Sequence, residues 1–527
     1  MIDLTLAQIA EIVGGRVDGV DPADAATIRV TGTVEFDSRA VTPGGLFLAL
    51  PGARTDGHDF VASAIESGAV AVLAARPVGV PAIVVPPAPA ADAHAGVLEH
   101  DTDGAGAAVL AALARLAAAV AAELVAGGLR IVGITGSSGK TSTKDLVAAV
   151  LRPLGEVVAP PGSFNNELGL PWTVLRATRD TDFLVLEMSA RHPGNIAALA
   201  RIAPPAIAVV LNVGTAHLGE FGSREAIATT KAELVQAVPA AGVVVLNADD
   251  PVVAAMAART EARVVTVGRS DNPDPRAESG ADVRAVDVRL DELARPSFTL
   301  LAGGTATPVS LAVHGEHQVG NALSAAAVAL ECGATPAQVA AALGEAGPAS
   351  RQRMEVRTRA DGVTVINDAY NANPDSMRAG LQALAVMARQ SGQVPGLDQG
   401  RGQSREGAAR RSWAVLGEMG ELGEDSVTEH DRIGRLAVRL DISRLVVVGT
   451  GRPMSAMYHG AVMEGSWGSE AVMVADADAA VDLLRSELQP GDVVLVKASN
   501  AARLGALAEA LLTDPALADP TLKDPIG

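Results

Sequence analysis

The stretch 131–145, IVGITGSSGKTSTKD, orders an apolar run, a glycine-rich turn and a helical pattern. Glycines let the backbone curl so that successive N–H groups aim at one anion. The helix that follows adds free donors and a partial positive charge at its start. Thr135, Gly136, Ser137, Ser138, Gly139, Lys140, Thr141 and Ser142 thus form a candidate cradle for nucleotide phosphates. Lys140 can reach the outer phosphates, and the Thr141 hydroxyl can ligate magnesium. The usual phosphate loop has a glycine where Ile134 stands here, and the spacing runs Gly133, Gly136, Gly139 instead. A plain Gly/Ser turn with a chance Gly-Lys-Thr is the alternative, but strand before and helix after favour phosphate binding.

Other polar residues stand at the ends of apolar runs. DFLVLE closes on Glu187, and AIAVVLN is followed by VGTAH, ending at His217. A carboxylate and an imidazole at adjacent strand ends can both reach a divalent metal held by phosphates. A surface glutamate and a hydrogen-bonded loop histidine are the plainer alternatives. SFNNELGLP carries Asn165 and Asn166, whose amides suit a ligand or, equally, a turn. In HGEHQVGNALSAAAVALE, His317 and Asn321 share a helix face on which a flat base could rest; an ordinary polar helix start is the alternative. NDAYNANPDSM follows the strand pattern GVTVI and packs Asp368, Tyr370, Asn371, Asn373 and Asp375 into one strand exit, which favours a ligand site over turn chemistry alone. Lys231, in REAIATTKAELVQAV, reads by itself as a solvated helix lysine.

These side chains need a scaffold. A chain of 527 residues suggests roughly three domains at ~150 residues each. Hydrophobic residues make up 48 % but aromatics only 2 %, so Ala, Val, Leu and Ile must build the cores. In the middle section, 101–350, the runs RIVGIT, DFLVLE, AIAVVLN, GVVVLN and RVVTVG alternate with helical patterns. That predicts a parallel sheet covered on both faces, with functional loops at the carboxyl ends of its strands. Residues 1–100 read as a small α/β unit leaving through the linker PPAPAADAHAG. Residues 351–527 mix strand and helix again, and a glycine-rich, charged stretch near 390–411 predicts a disordered insertion. The polar stretch 270–282 predicts a mobile loop. The fold class expected is α/β in three domains.

Charge and cysteine content exclude some functions. A net charge of −19 argues against a nucleic-acid partner. One cysteine, Cys332, excludes an internal disulfide framework and fits a reducing, cytoplasmic compartment. The N-terminal MIDLTLAQIAEIVGG has no basic n-region and does not read as a signal peptide. Arg115 and Glu123 interrupt the long apolar stretch 104–126, which reads as a soluble helix rather than a membrane span.

TGSSGKTS, FNNELGLP, the EMS glutamate, NVGTAHLGEFGS, TTKAEL, GEHQVGNALSAAAVA, RQRMEV, NDAYNANPDSM and LGEMGELG occur in that order. In that order, and over most of the chain, they resemble the ATP-dependent Mur ligases of peptidoglycan synthesis. The resemblance implies a central P-loop, parallel-sheet ATPase domain. A small N-terminal α/β domain would hold the UDP end of a nucleotide-sugar peptide, and a C-terminal Rossmann-like α/β domain would complete the ATP site. It implies ATP and two Mg2+ ions, with Thr141 and Glu187 on one ion and His217 helping to bind the other. Lys231 matches the family's carbamylated lysine, so Lys140, His217 and Lys231 become the catalytic candidates. His317 and Asn321 would face adenine, with Arg353 and Asp368 near phosphate and ribose. Asp37, Ser38, Arg39, Asp56, Gly57 and His58 look like UDP-sugar contacts. Asn165 and Asn166 would touch the muramoyl or peptide portion, with Tyr370, Asn371 and Asn373 as further substrate contacts. DAYNANPDSM followed by LGEMGELG resembles the branch whose substrates are UDP-N-acetylmuramoyl-tripeptide and D-alanyl-D-alanine. A cytoplasmic monomer without nucleic acid or membrane insertion is the expectation.

Two departures stand out. The family's last strand often ends in a Lys-Gly-Ser-Arg-like turn, but here it reads Lys497-Ala498-Ser499-Asn500. The DNPDP at 271–275 resembles a sequence of the diaminopimelate-adding relative, yet it lies in the middle section, so we read it as coincidence. The rivals are that relative, folylpolyglutamate synthetase, and a non-catalytic nucleotide switch, which would leave Glu187, His217 and Lys231 unexplained.

Overall fold

The computed structural model describes residues 1–52, 55–87, 101, 103–215, 218–271, 280–389, 410–465 and 470–513. Helix Leu6–Val13 begins at a reciprocal capping box between Thr5 and Gln8 and ends at Gly14, whose φ of +63° is a left-handed cap. It covers a five-stranded sheet ordered Arg16–Asp18, Ala82–Val84, Ala69–Ala74, Gly45–Leu48, Val34–Glu35. All its pairs are parallel except the first.

Helix Ala105–Ala126 carries the long apolar stretch. Among the described residues it is the one helix long and apolar enough to cross a membrane, yet more than half of its apolar window is buried. It packs against helix Leu6–Val13 on one side and helices Gly169–Val174 and Asn195–Ile202 on the other. Arg115 donates to the Val13 carbonyl at 2.6 and 3.1 Å, tying the first unit to the second.

The central sheet has nine strands, in the order Thr305–Ser310, Pro296–Ala302, Val283–Leu290, Arg263–Arg269, Val243–Asn247, Ile207–Val210, Arg130–Thr135, Phe183–Glu187, Val157–Val158. Every apolar run read from the sequence is one of its parallel strands. The expectation of a wholly parallel sheet fails at one edge, where Val283–Leu290, Pro296–Ala302 and Thr305–Ser310 pair antiparallel. Gly303 and Gly304, at φ +55° and +75°, form a tight two-residue hairpin turn there. In that edge strand only Val309 is buried, while Thr305, Ala306, Pro308 and Ser310 are exposed, as on an edge that faces solvent.

The last sheet has six strands, ordered Glu355–Thr358, Thr364–Asn367, Val493–Lys497, Ser412–Leu416, Arg444–Val448, Ala471–Val474. All its pairs are parallel except the first. Trp413 is fully buried at its centre. The predicted insertion falls mostly on 390–409, outside the described residues, but its last two residues are held: Arg410 donates to the Gly491 carbonyl at 2.5 Å, and Arg411 pairs with Asp492 at 2.6 Å. Most of the predicted linker and of the predicted loop 270–282 also lies outside the described residues.

Candidate functional site

Sheet register assembles the site. Thr135 pairs with Val210 and Ile134 with Glu187, so three neighbouring strands end side by side. Asn212, just past the strand Ile207–Val210, accepts the N–H groups of both Ser137 and Ser138 at 2.9 Å on one oxygen. Its amide donates back to the Ser138 carbonyl at 3.2 Å, and Gly214 N–H donates to the Ser137 hydroxyl at 2.9 Å. The loop is therefore shaped from the next strand. The amides of Ser137 and Ser138 turn to Asn212 instead of the cleft, which corrects the expectation that the whole turn offers donors. Thr143 makes the first N–H bond of the helix Lys140–Leu151, to the Gly139 carbonyl at 2.8 Å. The N–H groups just ahead of it form the free end that suits an anion. Gly139 sits at φ +81°, and a Cβ there would lie 2.7 Å from the Asn321 carboxamide oxygen.

Glu187 is buried and collects three donors: the Thr141 hydroxyl at 3.0 Å, the Ser163 hydroxyl at 3.0 Å and the Asn165 amide at 2.7 Å. Asn165 is thus a partner of Glu187. The Thr141 hydroxyl also receives Arg353 from the last unit at 3.3 Å. Lys140 donates to the Gly136 carbonyl at 2.9 Å. Burial lowers its pKa from the usual lysine value, while Glu187 opposes that shift. Thr135 is buried with its hydroxyl unpartnered.

The opposite wall comes from the third sheet. Arg353 lies over the Tyr370 ring at 4.1 Å. Asp368 accepts from Met354 N–H at 3.1 Å and pairs with the buried Lys497 ammonium at 2.6 Å. Lys497 also donates to the Asn371 carbonyl at 2.9 Å. Between the walls lies a cleft of about 520 Å³, lined among others by Gly139, Thr141, His317, Asn321, Arg353 and Asp368. His317 opens to solvent in that cleft, although protein crowds around it and lowers its pKa. The cleft thus joins a phosphate cradle, a ring-lined wall and cationic groups from two units, an arrangement for holding a nucleotide triphosphate against an acid.

Other candidates fall elsewhere. Lys231 is buried on helix Arg224–Gln236, and burial, then Lys140, drives its pKa well below the lysine value, so it is no solvated helix lysine. His217 lies outside the described residues. Asn166 accepts from Gly169 N–H at 2.9 Å, and Asn373 exchanges bonds with Ser376 at 2.9 and 3.0 Å, so both act in the structure as helix-start caps. Ser142 lines the cleft, while Asn371 is turned onto the adjacent Ala372 N–H.

In the first unit Asp37 is held at about pKa 2 by Arg39, which bonds it at 2.7 Å, and Ser38 is buried. Burial alone would raise the Asp56 carboxyl, but bonds from His58 and Arg76 bring it to about 2. Gly57 lies against the Leu50 backbone and buried His58 accepts from Ala75 N–H at 3.4 Å, so that trio braces the exits of the strands Gly45–Leu48 and Ala69–Ala74. Sequence reasoning did not single out Ser163 or Asn212 as site residues. An asparagine immediately after an apolar strand was the available signal for Asn212.

Three family models match the chain. The Mur ligase family catalytic domain covers 32–120, the Mur ligase middle domain 134–329, and the Mur ligase glutamate ligase domain 352–396 and 396–500. The chain is 71 % identical over 525 residues, 98 % of each chain, to UDP-N-acetylmuramoyl-tripeptide--D-alanyl-D-alanine ligase of Mycobacterium tuberculosis. It is 32 % identical to the Escherichia coli ligase of that name, over 85 % of this chain and 86 % of that one. It resembles the crystal structure of MurF from Acinetobacter baumannii at TM-score 0.76 and 28 % identity, covering 97 % of this chain and 99 % of that one. The MurF ligase of Thermotoga maritima in complex with ADP matches at TM-score 0.69 and 28 % identity, covering 91 % and 97 %.

Proposed function

The chain belongs to the Mur ligase family, and from that premise we propose that it joins D-alanyl-D-alanine to the terminal carboxylate of UDP-N-acetylmuramoyl-tripeptide, converting ATP to ADP and phosphate. One contact carries the reading: Arg353 of the last unit and Glu187 of the middle unit meet on the Thr141 hydroxyl of the phosphate loop. A carboxylate is a poor electrophile, and its charge repels both phosphate and nucleophile. Transfer of the γ-phosphoryl group makes an acyl phosphate. The dipeptide amine then attacks the acyl carbon, and the C–O bond to phosphate breaks. Lys140, Arg353 and the helix N-terminus supply the positive potential that brings two anions together.

Magnesium fits part of the site. The Thr141 hydroxyl and the Glu187 carboxylate are hard oxygen donors, buried and 3.0 Å apart. Bound there, the ion would neutralise charge on the phosphoryl oxygens. Among the described residues no group of three or more His, Cys, Asp or Glu could hold a metal, so a second ion needs an anion from elsewhere. Lys231 could supply it as a carbamate, and His217 is the further ligand we assign to that ion. The lowered pKa of Lys231 favours the neutral amine, the form that adds CO2 with loss of one proton. We assign residues 1–100 to UDP-sugar binding, 101–350 to ATP binding and 351–527 to a ligase domain that completes the ATP site. Asp37 and Arg39, on either side of buried Ser38, form the more open candidate contact for the sugar nucleotide. The protein acts as a cytoplasmic monomer, where its nucleotide-linked substrate resides.

The test is phosphate release with the UDP-linked tripeptide, ATP and a panel of amines. Release that depends on D-alanyl-D-alanine supports the reading. Release with diaminopimelate or glutamate instead moves the chain to a sister activity, and the absence of release with every amine supports the nucleotide switch.

A further inference from the structure

Helix Pro374–Arg389 presents its first two turns to the cleft. Asp375 and Arg378 both line that cleft, and a spacing of three puts them on one helix face. Asp375 is half-buried and Arg378 is exposed. Among the described residues neither makes a hydrogen bond or an ion pair, not even with the other. The other carboxylates and cations lining the cleft are engaged. Asp250 accepts from Val213 N–H at 2.8 Å and from Val252 N–H at 2.9 Å. Asp368 holds Lys497, Arg353 donates to Thr141, and Arg224 donates to the Val213 carbonyl at 2.9 Å. The partial positive charge of a helix start accounts for an aspartate there, but not for an arginine one turn later.

Asp375 stands at the phosphate end of the cleft. A Cβ on Gly214 would collide with Asp375 Oδ2 and lie 3.4 Å from Ser137 Cβ, and Gly214 N–H bonds the Ser137 hydroxyl. Gly214 follows the strand Ile207–Val210, on one side of the phosphate-loop strand, whereas Thr141 and Glu187 meet on the side of the strand Phe183–Glu187. The Asp375 carboxylate therefore crosses from the last unit to the phosphate loop, on the side away from Glu187. Arg378 lies one helical turn further on, where its side chain meets solvent.

The reaction proposed above needs a nucleophile that carries two charges. D-alanyl-D-alanine arrives as a zwitterion, with an ammonium at the end that attacks and a carboxylate at the other. Lys140, Arg353 and Lys497 repel the ammonium, and the nucleotide phosphates repel the carboxylate. Two extended residues span about 7 Å. Side chains three apart on a helix have Cβ atoms about 5–6 Å apart, and the length of an arginine adds reach. We propose that this helix face reads both ends of the dipeptide: Asp375 receives the ammonium beside the phosphate loop, and Arg378 receives the carboxylate. A single amino acid would bring its carboxylate about 3.5 Å short of Arg378. The inference rests on the ligase reading and adds to it the two residues that measure the second substrate.

The experiment varies the amine in steady-state kinetics, comparing D-alanyl-D-alanine with its C-terminal amide. Wild type is set against Arg378→Met, Arg378→Lys and Asp375→Asn. Wild type should favour the free acid roughly ten- to hundredfold in kcat/KM, the effect of one charge-assisted hydrogen bond. Arg378→Met should lose that factor with the acid and keep its rate with the amide, so that the preference vanishes. Arg378→Lys should keep part of it. Asp375→Asn should raise the KM for acid and amide alike, by a similar factor. The KM values for ATP and for the UDP-tripeptide, and the magnesium requirement, should stay near wild type. A wild type that treats acid and amide equally, or an Arg378→Met loss shared by both, would overturn the inference. So would an Arg378→Met effect confined to the KM for ATP, or an Asp375→Asn effect confined to the magnesium requirement, which would make that carboxylate a metal ligand. A wild-type protein that ligates a different amine would overturn the ligase assignment instead, and the acid and amide forms of that amine would still test Arg378.

Discussion

Replacing Gly139 by alanine tests the cradle more sharply than removing its lysine. The residue sits at φ +81°, and its new methyl would lie 2.7 Å from the Asn321 carboxamide oxygen. The left-handed backbone alone costs an alanine about 1–2 kcal/mol. The methyl must also push Asn321 away, and Asn321 is buried with its amide bonded to Gln318 at 2.8 Å. Losing a buried bond of that kind costs about 1–3 kcal/mol more. The expected total is roughly 2–5 kcal/mol. Gly14→Ala is the control, since Gly14 is also left-handed, at φ +63°, but its Cβ would meet nothing within 4 Å. Urea denaturation, read on the transition that ADP protects, should separate the two variants by the Asn321 part alone. Adding Asn321→Ala to Gly139→Ala should recover about 1–2 kcal/mol through non-additivity, because the obstacle is gone. Gly139→Ala should also raise the KM for ATP. Equal midpoints for Gly139→Ala and Gly14→Ala, with an unchanged KM, would refute the close approach of loop and helix.

Three further expectations follow from buried groups. His430 is neutral in the fold: burial lowers its pKa from 6.5, and its Nε2 must stay unprotonated to accept Met419. The unfolded chain takes up a proton below that value, so stability is full above it and falls with pH beneath it, by up to about 1.4 kcal/mol per unit. His430→Gln should flatten that slope in urea titrations, and an unchanged slope would count against it. Lys497→Met strands the buried Asp368 carboxylate and should cost about 3–5 kcal/mol in thermal unfolding, with Asp368→Asn in the same chain restoring much of it. A loss no larger than that of an exposed pair would contradict the buried pairing. Lys231→Ala should lose ligation that added formate or acetate partly restores. Loss without rescue, together with full wild-type activity in CO2-depleted buffer, would remove the carbamate.

Local features were readable from the chain because they are written in neighbouring residues. The strand, loop and helix around 131–145 follow from apolar run, glycines and helical pattern, and all appear. The same holds for Glu187 at its strand end. What the sequence hid depends on register. Asn212 lies 75 residues from Ser137, and only the pairing of Val210 with Thr135 brings it under the loop. Asn165 and Asn166 looked alike, yet one turns to Glu187 and the other caps a helix. Lys231 read as solvated because its helix gives no sign of what packs over it. The antiparallel edge was legible in Gly303-Gly304 between alternating segments, but the apolar strands before it suggested one rule for the whole sheet.

The position of Arg130–Thr135 inside the central sheet constrains how the protein is made. It is the earliest strand of that sheet to leave the ribosome, yet both neighbours, Phe183–Glu187 and Ile207–Val210, come later. At about 5–20 residues per second, the 75 residues between Thr135 and Val210 take roughly 4–15 s to synthesise. For that interval an apolar strand has at least one unpaired edge, the kind of surface that joins other chains. Aggregation during translation, rather than failure of the finished fold, is therefore where substitutions in this strand should first be felt.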